Sequence, residues 1–203
     1  MLVTEVRSHG PPWSAHPQDA GFTNEFVELY NPGLDDITLD ATWQLKHQQA
    51  QGVCWSGLGV IMFTGGNQVL PAHRHLLLQG LDYEPLLASD APLTNSTEAQ
   101  SIADGGSMYV AHGGAVIDAL CFCFSTTTCN WIVGQGCTPY VCHGPPIKNG
   151  PHDGSAQPSS TVDASLARKV LSDGSYQDTR DSTADFVVAA PSGPQNLASP
   201  LGP

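Results

Sequence analysis

The chain has 203 residues, a length that suits one domain with long loops. Only 13% of residues are charged, against about a quarter in ordinary globular chains, and the net charge is −12 from 19 acidic and 7 basic side chains. Seven basic residues scattered over this length exclude a duplex-binding face, and 21 glycines with 16 prolines favour many turns and short strands over long helices.

Leu2 to Arg7 alternates like a half-buried strand. Met1 leads directly into it, without the basic and apolar regions of a signal peptide. The expectation is therefore either an intracellular chain or a piece cut from a longer exported one. Ser8 to Gly21, with Pro11, Pro12 and Pro17, reads as loop. The clearest strand follows at Asn24 to Tyr30. Val27 and Leu29 point to one side; Phe26, Glu28 and Tyr30 point to the other. Both rows are mostly apolar, so this reads as a central strand covered on both faces, with an edge strand that leaves Glu28 in water as the alternative, and Asn31-Pro32-Gly33 stops it. Glu28 sits within a buried row, so its carboxylate needs a cation or hydrogen-bond donors.

Ile37 to Leu39 and Thr42 to His47 are further short strands, separated by an Asp40-Ala41 turn. Gln48 to Gly57 is polar loop and contains Cys54. Val60 to Phe63 is a buried strand, and Val69-Leu70-Pro71-Ala72 feeds the apolar Leu76 to Leu78. Gly80 to Asp104 reads as one long loop. A hairpin comes next, with arms Ser107 to Ala111 and Ala115 to Phe124 around His112-Gly113-Gly114. Its second arm is the most apolar run of the chain, yet roughly half the length of a spanning helix, so no membrane span is expected. Ser125 to Ser160 reads as irregular, Ser165 to Arg168 as a late strand, and Asp178 to Asp185 as the approach to strand Phe186 to Val188. From the residues alone the fold class is an all-β sandwich or barrel.

The run Glu25-Phe26-Val27-Glu28-Leu29-Tyr30-Asn31-Pro32 resembles the signature strand of the lamin tail domain. Trp43 after its turn, the Leu70-Pro71 step, the Gly105-Gly106 hairpin with Asp118, the Ser165-Leu166-x-Arg168 strand, Phe186 and the Pro191 to Asn196 ending are similar to that family in the same order. The resemblance covers roughly Leu2 to Leu197 and implies an immunoglobulin-like antiparallel β-sandwich. The expected domain is 1–198, with insertions at about 48–57 and 125–160 and a tail at 199–203. The resemblance implies a non-catalytic binding or anchoring module of an exported bacterial surface protein, acting on a protein or cell-surface partner. The alternatives are an accessory domain of a larger extracellular hydrolase and a stand-alone structural protein.

No nucleophile elbow, phosphate loop, dinucleotide fingerprint or His-Glu-x-x-His motif is present, so neither catalytic residues nor a required cofactor is expected. His73 and His75 offer two imidazoles, short of the four ligands of a closed zinc site. Asp178, Asp181 and Asp185 are a calcium candidate whose spacing does not fit an EF-hand loop, with turn punctuation as the alternative. Glu28 and Arg168, each a lone charge inside an apolar run, are expected to pair. The six cysteines are Cys54, Cys121, Cys123, Cys129, Cys137 and Cys142. Alternation puts Cys121 and Cys123 on one side of their strand, too far apart for easy bonding to each other, so each should bond elsewhere. At least two bridges are expected, each with an end in Cys129, Cys137 or Cys142, which favours an oxidising, extracellular setting; a metal site and free thiols are the alternatives.

Overall fold

The computed structural model describes residues 1–8, 10, 24–50, 59–80, 87–93, 102–133, 140–148 and 163–203. The elements in order are β1 (Leu2–Arg7), β2 (Phe26–Tyr30), β3 (Ile37–Leu39), β4 (Trp43–Gln49), β5 (Val60–Thr64), β6 (Gln68–Leu70), β7 (His75–Gln79), β8 (Ala91–Pro92), β9 (Gly106–His112), β10 (Ala115–Cys123), α1 (Thr126–Val133), β11 (Ile147–Lys148), β12 (Ser165–Arg168), α2 (Ser182–Asp185) and β13 (Phe186–Ala189). A six-stranded sheet runs β13-β12-β1-β2-β7-β8, and a five-stranded sheet runs β11-β10-β9-β4-β5. The pairings are antiparallel except β7 with β8 and β10 with β11. A small β3–β6 ladder lies outside both sheets.

The two sheets pack face to face, because one row of each is apolar. Val3, Val6, Val27, Leu29, Leu76, Leu78 and Leu166 from the first meet Leu45, Met62, Met108, Val110, Leu120 and Phe122 from the second in one buried cluster. This is the expected all-β sandwich. β2 lies between β1 and β7, and all five of its residues are buried, as its two apolar rows require. The β9–β10 hairpin turns at Gly113 and Gly114, whose φ values of +57° and +87° suit glycine and a tight two-residue turn.

The outer face of the five-stranded sheet is packed against residues 125–133 and 140–148, which belong to the segment read above as irregular. Part of that segment is helical. Ser125 Oγ accepts from Thr128 N at 3.2 Å, and Thr128 Oγ1 accepts from Ser125 N at 3.0 Å, which starts α1. Cys121 and Cys123 point outward, opposite Leu120 and Phe122, and each bonds elsewhere: Cys121 to Cys142 and Cys123 to Cys129. Ile132, Trp131 and Tyr140 pack over the two bridges. Cys54 and Cys137 lie outside the described residues. Alkylation without reductant is expected to leave Cys121, Cys123, Cys129 and Cys142 unmodified in intact mass. Modification of all four would contradict the bridges. Replacing Cys123 and Cys129 together with Ser is expected to cost about 2 kcal/mol, since the closed loop is short.

Candidate functional site

Charge is scarce in this chain, so where the charged side chains go is informative. Glu28 and Arg168 are both buried, but they do not pair. Glu28 stands opposite Glu5 on β1, and Glu5 stands opposite Ala167 on β12. Arg168, one residue on, therefore points to the other face of the sheet. The pleat separates the two charges, a relation that lone charges on unplaced strands do not disclose.

Arg168 points into the sandwich and joins the two sheets. Its Nη2 donates to Asp118 Oδ2 on β10 at 2.5 Å, Nε to Val3 O at 2.8 Å and Nη1 to Gln177 O at 2.8 Å. Phe186 lies beneath the guanidinium, 4.6 Å from ring centre to Cζ. Asp118 faces the interior because it alternates with Leu120 and Phe122 along β10, opposite Val110 of β9; the bulge between Val116 and Asp118 precedes this run. Its Oδ2 also accepts from Val3 N at 2.7 Å, and His143 Nδ1 stands 3.4 Å from Oδ1. Burial pushes this carboxyl up, but His143, Arg168 and the Val3 N–H together outweigh it and hold Asp118 below its ordinary range.

The calcium candidates belong to this same cluster. Asp178 and Asp185 approach Arg168 Nη1 at 3.7 and 3.5 Å, and Asp185 accepts from Thr179 Oγ1 at 2.7 Å. Asp181 caps α2 by accepting from Thr183 N and Ala184 N. Two of the three carboxylates thus face a guanidinium and the third a helix end. Among the described residues no group of three or more His, Cys, Asp or Glu could hold a metal ion.

Glu28 points to the outer face of the six-stranded sheet, where buried polar side chains sit among Phe26, Tyr30 and Leu77. Thr4 Oγ1 donates to Glu28 Oε1 at 2.6 Å, and His75 Nδ1 lies 2.8 Å from the same oxygen. Glu5 accepts from Ser165 Oγ at 2.5 Å; burial is the main cause that raises its carboxyl above the ordinary range. Arg7 holds Asp163 at 2.7 Å and lies over the Phe26 ring. Tyr30 stacks beside His75 with 4.7 Å between ring centres, and its hydroxyl is 3.0 Å from His73 Nδ1. His73 and His75 thus hold different partners rather than one metal. Residues 191–203 lie over this row and include the tail expected at 199–203: Gly202 N donates to His73 O at 2.9 Å.

The remaining signature residues are structural. Asn31 is buried, with Nδ2 donating to Asp35 O and Leu70 O, and it fixes the turn after β2. Trp43 stacks on His112 with 4.1 Å between ring centres. Glu25 accepts from Ile102 N at 3.0 Å, and burial raises its carboxyl well above the ordinary range. Sequence reading missed the roles of His75, Glu5, Arg7 and His47. For His75, beside Leu76 to Leu78, the signal was the same as for Glu28, a polar side chain in an apolar run; His47 sits in the mostly polar β4 and gave no such signal.

A second surface is the outer edge of β13. Val187 and Val188 are 43% and 48% exposed, and β13 ends the six-stranded sheet. Val170 and Leu171, just beyond β12, are exposed as well. β13 carries no charge and spans four residues; β8 and β11, at two other sheet ends, are two residues each, and β5, at the remaining end, is five uncharged residues whose apolar side chains are buried or half-buried. Short edges resist strand addition; an apolar edge of this length invites it.

No family model matches the chain, and no curated protein matches it. Among solved structures it is similar to a DUF4876 family protein from Bacteroides thetaiotaomicron, with a TM-score of 0.48 and 13% identity over 92% of this chain and 70% of that one. A likeness this distant carries no argument about function.

Proposed function

We propose that this domain is a non-catalytic binding or anchoring module of an exported bacterial surface protein, with the lamin tail domain as its family. It docks by strand addition at the outer edge of β13. The observation that carries this reading is the edge itself: four residues, uncharged, with two half-exposed valines and no strand beyond it among the described residues. Strand addition takes its affinity from main-chain hydrogen bonds and its selectivity from alternate side chains. The partner is an extended apolar segment of an envelope protein, because the edge offers no charge for a charged segment to meet. The two disulfides support a working place outside the cytoplasm. No helix among the described residues is long and apolar enough to cross a membrane.

A fluorescent fusion of the domain should be retained on the envelope fraction of its source organism. Val187→Lys with Val188→Lys should lower that retention by about tenfold, the equivalent of about 1.4 kcal/mol. Equal retention of the two proteins removes β13 as the docking edge. Turnover of an ester, phosphodiester or glycoside that one point mutation in this chain abolishes replaces binding with catalysis.

A further inference from the structure

Residues 191–203 form a strap across the outer face of the six-stranded sheet, gripped mainly by its backbone. Three alternate N–H groups, those of Gly193, Gln195 and Leu197, donate to Glu5, Glu28 and Asp90 at 3.0, 2.5 and 3.1 Å. Glu5 lies on β1 and Glu28 on β2, while Asp90 also accepts from Leu77 N on β7 at 2.8 Å. The carboxylates therefore step from strand to strand across the sheet, at the spacing of alternate residues in an extended chain. Beyond them the strap closes on His75, whose Nε2 is buried and has no hydrogen-bond partner. A Cβ at Gly202 would lie 2.6 Å from that nitrogen and 2.6 Å from the Tyr30 ring, so only glycine fits there.

We propose that this face is a receptor groove for an extended segment, and that residues 191–203 of a second copy of the chain replace the resident strap to give a reciprocal, strap-exchanged dimer. The groove asks for alternate free N–H groups and one glycine at a fixed distance from them. The same segment of a second copy meets both conditions without change. Release of the resident strap breaks no sheet ladder. Of the strap's own side chains, Leu197 packs against the main core and Leu201 is already 65% exposed. Exchange by a two-fold axis then restores every contact in both copies.

The test uses the full chain. Unlabelled and ¹⁵N-labelled protein are mixed at rising concentration and measured by native mass spectrometry, with and without a synthetic peptide of residues 190–203. Heavy–light dimers are expected, and the peptide should convert them to monomers carrying one peptide each. A peptide with Gly202→Val should be at least about tenfold weaker in this competition, since the added side chain meets His75 and Tyr30. Absence of dimers up to roughly millimolar protein, the range where weak self-association shows, overturns the proposal. So do dimers that the wild-type peptide leaves intact, because those form through another surface. Equal competition by the two peptides also overturns it.

Discussion

Replacing Arg168 with methionine is expected to destabilise the fold by about 3–5 kcal/mol, the usual cost of stranding the partner of a buried charge. The stranded group is Asp118, which faces the sandwich interior and would keep Val3 N, Ala119 N and His143 near it but no guanidinium. Asp185 loses the same cation, 3.5 Å away. The effect should depend on the partner. Arg168→Met combined with Asp118→Leu should recover a large part of the loss, because an apolar pair of similar volume removes the stranded charge. Urea unfolding of both variants measures this. A cost of a few tenths for Arg168→Met, or no recovery in the double variant, contradicts the assignment of Arg168 and Asp118 as the tie between the sheets.

Stability is also expected to fall between about pH 6.5 and about pH 4 through His47. Its Nδ1–H donates to Ser107 O at 2.9 Å, and its Nε2 accepts from Ala103 N at 3.2 Å, so the ring is held neutral. Burial, only partly offset by the Ser107 contact, lowers its pKa from 6.5 to about 4. Within that window the unfolded chain binds the proton and the folded chain does not. The contribution is therefore complete above pH 6.5 and lost as pH falls, to a total of about 3 kcal/mol. Glu5, Glu25 and Asp90 have raised pKa values, chiefly from burial, and act with the opposite sign, so the wild-type slope alone does not isolate His47. Comparison with His47→Gln does, since Gln offers one donor and one acceptor and cannot titrate. Wild type should lose about 3 kcal/mol more than the variant between pH 7 and pH 4. Equal losses would contradict a neutral, buried His47.

β2, the β9–β10 hairpin and the outward pair Cys121 and Cys123 were legible because each depends on local rules: alternation, a two-glycine turn and the reach of a disulfide. The partner of Glu28 was not. Its partner in the fold is set by which strands lie beside β2, and the partner is His75 from β7 rather than one of the scarce Lys and Arg. Asp118 was legible as an inward residue, since it alternates with Leu120 and Phe122, but not as the mate of Arg168, because that pairing depends on how the two sheets pack on each other. α1 was hidden by its threonines and valine, which favour strands; the Ser125–Thr128 cap was the available sign. The two-residue strands β8 and β11 leave no periodic trace at all. The exposed valines of β13 were visible as residues, but their place at the end of a sheet is a property of topology.

The central claim is that the domain works by binding, through the outer edge of β13. Amide hydrogen exchange, read on the domain free and bound to its native envelope fraction, tests it most directly. The account predicts new protection at Phe186 to Ala189, with little change at β4, β5 and the β9–β10 turn. Protection that falls on another surface, with β13 exchanging as in the free domain, would contradict it.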